Sequence, residues 1–170
     1  MEIEKKESEL RALQAQMNPH FLYNCLSGIK WKALRKGDDD ISDITGLLAK
    51  FYRTALNNGQ QITTVSSELE NIRAYIEIQK KMHEEPFEAE YRIDESGLEC
   101  CMPNFLLQPL VENAIIHGLS KKEEGGTVRV HIWQKDGFTF ITIGDNGLGM
   151  DEAALMHLRG ELEKEDGKTG

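Results

Sequence analysis

Along the first 36 residues the apolar positions recur at helical spacing. Leu10, Leu13, Met17 and Phe21 share a face, and at about 100° per residue Cys25 and Trp31 fall on or near the same arc. From Leu22 a second stripe opens through Leu26, Ile29 and Ala33. A helix apolar on two sides belongs inside a bundle, and the seven-residue series Ile3, Leu10, Met17, Asn24, Trp31 points to coiled-coil-like pairing. Pro19 predicts a kink, since it removes a backbone donor and crowds the preceding turn. Gly37 and the run Asp38–Asp40 predict a turn and an acidic helix start. A second helix is expected over 41–57, with Ile44, Leu47, Leu48, Phe51, Tyr52 and Ala55 on its apolar side. A third is expected over 66–82, capped by Ser66 or Ser67, with Leu69, Ile72, Ile76 and Met82 facing inward. No strand signal precedes residue 84, so 1–84 reads as a helical unit.

At Pro86 the period changes from helical to two. Phe87, Ala89, Tyr91 and Ile93 alternate with Glu88, Glu90 and Arg92, the pattern of a strand with one wet face. Cys100, Cys101 and Met102 suggest a short second strand, and a helix is expected from Asn104 to His117, stopped by Gly118. Strands follow over 127–134 and 138–143, joined by a hairpin at Lys135-Asp136-Gly137. Residues 151–163 read as helix. The region 85–170 is therefore an α/β layer unit with a sheet that looks unfinished, and the fold class of the whole is α+β.

Composition narrows the function. Among 170 residues, 20 Lys and Arg stand against 29 Asp and Glu, a net charge of −9 that disfavours a nucleic-acid binder, which would show a basic face. The start, MEIEKKESEL, is too charged for a signal peptide, and no apolar run is long enough to span a membrane. The three cysteines, Cys25, Cys100 and Cys101, lack metal-like spacing and read as reduced cytosolic thiols used in packing.

Three segments carry candidate chemistry. Asp145-Asn146-Gly147-Leu148-Gly149 directly follows a strand. A carboxylate there can accept a hydrogen bond from a purine amino group, and the glycines let the backbone pass close to a flat ring or adopt φ > 0. The same five residues also suit an ordinary glycine-rich turn. Asn113 lies within an otherwise apolar helix pattern, where an amide is costly unless its oxygen has a partner such as a phosphate-bound Mg²⁺. The alternative is a polar helix face shared with Glu112 and His117. His20 sits at the edge of the first apolar arc, one turn before Asn24. Neutral imidazole is an adequate nucleophile near neutral pH, and a histidine merely satisfied inside a bundle is the competing reading.

Together these segments resemble the sensor histidine kinases of two-component signalling, in particular the LytS/YesM-like branch. Gln16-Met17-Asn18-Pro19-His20-Phe21-Leu22-Tyr23-Asn24 is similar to that branch's phosphoacceptor box. Leu107-Gln108-Pro109-Leu110-Val111-Glu112-Asn113-Ala114, with His117-Gly118, is similar to its nucleotide-binding N box. Asp145-Asn146-Gly147-Leu148-Gly149-Met150 is similar to the first glycine box of the Bergerat-type (GHKL) ATP-binding fold.

The resemblance implies a helical dimerisation and phosphotransfer region over 1–84 and the first part of an ATP-binding domain over 85–170. It implies His20 as phosphoacceptor and Asn113 as Mg²⁺ ligand; Asn24, one helical turn after His20, is the residue expected to orient the ring. Asp145 would take the adenine amino group, Gly147 and Gly149 would shape its pocket, and His117 would line the site. ATP and Mg²⁺ are the implied cofactors. The implied partners are a second copy of the chain, through a four-helix bundle, and a response-regulator receiver domain, with no nucleic acid. The implied location is cytoplasmic, with membrane attachment only through upstream segments.

The family's second glycine box would begin near Lys168-Thr169-Gly170, so the resemblance implies that the domain continues and that this chain is a piece of it, with weakened nucleotide affinity. Two other functions compete. A GHKL-type ATPase needs a general base, usually Glu, where this chain has Pro109. A non-catalytic dimeric signalling module would tolerate loss of His20, Asn113 or Asp145, all of which are present.

Overall fold

The computed structural model describes residues 19–56, 60–82, 86–119 and 125–149, together with positions 152, 155, 156 and 160. The expected kink at Pro19 depends on residues before it, and the helix over 151–163 falls mostly outside this description.

The described residues open with helix α1 (Pro19–Lys36) and helix α2 (Asp39–Leu56), packed on each other. Gly37, at φ 71, makes the turn between them, and its N–H donates to the Leu34 carbonyl. Asp38 caps α2 by accepting from the Ile41 N–H at 3.2 Å, and the acidic first turn suits the helix dipole. Leu26 and Ala33 of α1 are buried, while Phe21, Ile29, Trp31 and Leu34 are exposed on the isolated chain.

Strand β1 (Ile62–Thr64) follows, in a region whose hydrophobic pattern carries no strand signal. It is three residues long and pairs antiparallel with β3 (Cys101–Pro103), a partner nearly forty residues away, so its extended state comes from that pairing and not from local pattern. Helix α3 (Val65–Met82) begins at once. Its cap is Thr64, whose Oγ1 accepts from the Ser67 N–H, instead of Ser66 or Ser67. Leu69, Ile72 and Ile76 face inward as expected, whereas Met82 at the helix end is exposed.

The main sheet has the order β2-β4-β5, from β2 (Phe87–Ile93), β4 (Gly126–Lys135) and β5 (Phe138–Asp145). β2 runs parallel to β4, and β4 and β5 form an antiparallel hairpin. Its two-residue turn places Asp136 at φ 52 and Gly137 at φ 80, the positive angles of a type I′ turn. Between β3 and β4 lies helix α4 (Gln108–Glu112), which continues as a π-helical stretch over Asn113–Leu119. The helix thus starts four residues later than the pattern indicated and runs one residue past Gly118. The delay has a cause: Phe105 is at φ 63, a left-handed turn incompatible with helix.

Two layers close the core. Val65, Leu69, Ile72, Tyr75 and Ile76 of α3 and Val111, Ala114, Ile115 and Leu119 of the α4 region cover Phe87, Val128, Val130 and Ile132 of the sheet. A core that joins α3 to the strands crosses residue 84. The cysteines contribute little to it: Cys25 and Cys101 are exposed and Cys100 is half-buried.

On the inner side of β2, Tyr91 lies beneath the Arg73 guanidinium, 4.8 Å from its ring centroid. Burial pushes its hydroxyl up to about 12, the Glu77 carboxylate adding to the rise and Arg73 opposing it. Because the folded pKa exceeds the unfolded one, this group's contribution to stability is complete below the ordinary value of 10.0 and is lost as pH rises through about 12. A tyrosinate absorbance titration should therefore show a late step near pH 12 that Tyr91→Phe removes. Ionisation of every tyrosine near the ordinary value, with the fold intact, would contradict this.

Candidate functional site

Two groups of sequence-predicted residues occupy different packing units. The first is on α1. His20 is exposed in the first turn, and Asn24 Nδ2 lies 3.2 Å from its Nδ1. The i, i+4 spacing of the helix brings the two together, so the amide is positioned to fix the plane of the imidazole.

The second group forms where the π-helical stretch meets the end of β5. The β4–β5 register places Asp145 opposite Val128 at the start of β4. The next residue, Asn146, bonds back to Thr127 twice: its Oδ1 accepts from the Thr127 N–H at 2.7 Å, and its own N–H donates to the Thr127 carbonyl at 3.2 Å. Asp145 Oδ1 accepts from the Gly147 N–H at 2.8 Å, which turns the chain within two residues. Asp145 is exposed, so its carboxylate is available to a ligand.

The glycines of this region have steric work to do. A Cβ added to Gly118 would lie 2.6 Å from Asp145 Oδ1, and one added to Gly147 would fall on the Gly118 carbonyl. The loop after β5 is therefore seated on the end of the helical stretch with no room for a side chain on either partner. Gly149 is different: it has open space around it but sits at φ 70.

Asn113 is exposed at the first residue of the π-helical stretch, and its N–H donates to the carbonyls of Leu110 and Pro109. The burial cost invoked for it from the sequence does not arise, because the side chain faces outward. His117 is likewise exposed, immediately before the Gly118 contact. Departures from α-helical register of this kind recur at functional sites. Glu112, the neighbour of Asn113, accepts from Gln108 Nε2 at 2.7 Å. Burial, then the Glu112 charge, hold the Tyr75 hydroxyl above its ordinary range, with a hydrogen bond to Gln79 opposing them.

An adenine nucleotide at this junction would meet the exposed Asp145 carboxylate beside a loop that leaves no room for a side chain at Gly118 or Gly147. Among the described residues no cluster of His, Cys, Asp or Glu side chains is arranged to hold a metal ion. Asn146 escaped the sequence reading, which treated it as filler between Asp145 and Gly147. An asparagine directly after a strand, able to bond backbone across a hairpin, was the available signal. Among the described residues no helix is long and apolar enough to cross a membrane.

Comparison with known proteins agrees with these features. Residues 8–87 match the histidine kinase family. The chain is 38% identical over 150 residues to the sensor histidine kinase YesM of Bacillus subtilis, which covers 88% of this chain and 26% of that protein. It is 35% identical over 151 residues to the sensor histidine kinase YpdA of Escherichia coli, with 88% and 26% covered. To the sensor protein LytS of Bacillus anthracis it is 32% identical over 155 residues, with 90% and 26% covered. The chain spans about a quarter of the length of these relatives. Over the residues compared, the chain is similar to sensor histidine kinases of the LytS/YesM-like kind.

Proposed function

We propose that this chain carries the phosphoacceptor helix and the adenine side of the ATP site of a two-component sensor kinase, in which His20 takes the γ-phosphoryl group of Mg-ATP and passes it to an aspartate of a response regulator. Residues 1–84 would serve dimerisation and phosphotransfer, and 85–170 the first part of the nucleotide-binding domain. The observation that carries the reading is the seating of Asp145-Asn146-Gly147 on Gly118 in the same chain that holds the His20–Asn24 pair.

Asp145 would accept a hydrogen bond from the adenine amino group, and Gly147 and Gly149 would keep the wall free of side chains. Asn113 would offer its amide oxygen to Mg²⁺, with His117 lining the same edge. Bound Mg²⁺ supplies neutralisation of the triphosphate charge. On α1, an amide donating into His20 Nδ1 keeps the ring proton on Nε2. A half-turn of the Asn24 amide, whose two ends have the same shape, presents Oδ1 instead and moves that proton to Nδ1. The Nε2 lone pair is then free to attack the γ-phosphorus in line. The new N–P bond forms as the bond to the β-phosphate oxygen breaks and ADP leaves, and the Nδ1 proton passes to solvent at this exposed position. The exposed Phe21, Ile29, Trp31 and Leu34 give α1 the apolar face through which a second copy would complete a bundle.

In the full-length protein, γ-labelled ATP should give acid-labile, alkali-stable label that His20→Gln abolishes. Asn24→Ala should slow labelling about fivefold, the equivalent of one exposed hydrogen bond worth about 1 kcal/mol; an unchanged rate would remove Asn24 from the reaction. Asp145→Ala should eliminate ATP binding measured by calorimetry, and undiminished affinity would remove Asp145 from the adenine pocket.

A further inference from the structure

Glu68 is a carboxylate in the first turn of α3 with only 1% of its surface exposed. Burying a charge is costly unless hydrogen bonds replace its hydration. Two do: Oε1 accepts from the Phe105 N–H at 2.9 Å and Oε2 from the Leu107 N–H at 3.0 Å. Among the described residues it makes no ion pair. The carboxylate is thus held by two backbone donors across the molecule, and the favourable end of the α3 dipole adds to them.

The two donors flank the start of the helix that carries Asn113. Phe105 holds the left-handed φ of 63 that turns the chain out of β3. Leu107 occupies the position before α4, where no side chain of the helix's own provides a cap. Pro109, two residues on, has no N–H to offer. Glu68 therefore does for α4, from another helix, what the N3 carboxylate of a capping box does within one: it accepts from the N–H of the N-cap residue. At the far end of the same segment, Gly118 is packed against Asp145 and Gly147 with no spare room. A helix fixed at its start by Glu68 and seated that closely at its end cannot shift along its axis without opening the junction.

We propose that Glu68 is a positioning residue of the nucleotide site, setting the turn at Phe105–Leu107 so that Asn113 and Gly118 meet the Asp145–Gly147 loop in register. The proposal rests on the reading of that junction as the ATP site. Glu68 does not touch the nucleotide; it acts through the backbone of residues 105–107.

The test uses the full-length protein, with Mg-ATP affinity by calorimetry, labelling rate against ATP concentration, and melting without nucleotide. Glu68→Gln keeps the shape but turns an amide N–H toward one of the two backbone donors. Phe105→Val attacks the same turn from the other side, since a β-branched residue resists φ 63, and Phe105 lies at the surface with 36% exposed. Phe105→Gly, which accepts that angle freely, is the control.

Both Glu68→Gln and Phe105→Val should weaken ATP binding about tenfold and raise KM similarly, with the rate at saturating ATP near that of the parent. Phe105→Gly should bind as the parent does. Affinity within about twofold of the parent in Glu68→Gln, alongside a lowered melting temperature, would reduce Glu68 to a structural residue and overturn the proposal. If Glu68→Gln does not fold, parental affinity in Phe105→Val overturns it equally. A parent that binds no ATP, or whose affinity survives Asp145→Ala, would instead defeat the reading of the junction itself, and the proposal with it.

Discussion

Helix α3 has to be buried on most of its circumference, and the remaining elements are arranged to satisfy that constraint. Nine of its eighteen residues are buried, more than the single stripe of a surface helix allows. Ile72 and Ile76 are fully enclosed, and the surrounding cover comes from three directions: the sheet, the α4 region and, through Phe51, helix α2. Burial of apolar surface on this scale is the dominant favourable contribution to folding. At the N-terminal end of α3, polar groups find backbone partners. The Val65 and Ser66 N–H groups donate to Cys100 and Leu98, and Glu68 accepts from Phe105 and Leu107. The segment 98–107 is in this way tied along its length to the start of one helix.

That arrangement makes the candidate site a by-product of core packing. β4 is held between β2 and β5 by its ladders, and Val128 sits both in the core and opposite Asp145. The helical stretch that carries Gly118 is fixed by Ala114, Ile115 and Leu119, which belong to the same core. The strand end and the helix end therefore meet because both are pinned from below. Exposed polar groups, namely Asn113, His117 and Asp145, are left on the outer rim of that meeting point, the usual location for binding residues in α/β layers.

The helical hairpin follows a different logic. α1 and α2 bury small and branched side chains against each other, while aromatic and aliphatic residues of α1 remain in water. Trp31 is 65% exposed and partly covered by the Arg35 guanidinium, 5.8 Å from its ring centroid. Of the two apolar stripes read in the sequence, Leu26 and Ala33 of the second are buried, while Phe21 and Trp31 of the first are exposed.

Elements with a strong local period were legible from the sequence: α1, α2, α3, β2 and the β4–β5 hairpin with its Asp136-Gly137 turn, because each encodes its own amphipathic pattern or turn angle. So was the placing of Asp145 at the end of a strand, directly before a glycine-containing turn. Tertiary structure decided what depends on distant partners. It drew Ile62–Thr64 into a strand with Cys101–Pro103, delayed α4 until after the left-handed turn at Phe105, and turned Asn113 outward. It also gave Asn146 its bonds to Thr127 and Glu68 its bonds to Phe105 and Leu107. Hydrophobic periodicity is written locally, whereas a buried carboxylate or a three-residue strand has meaning only once the backbone groups it pairs with have been folded beside it.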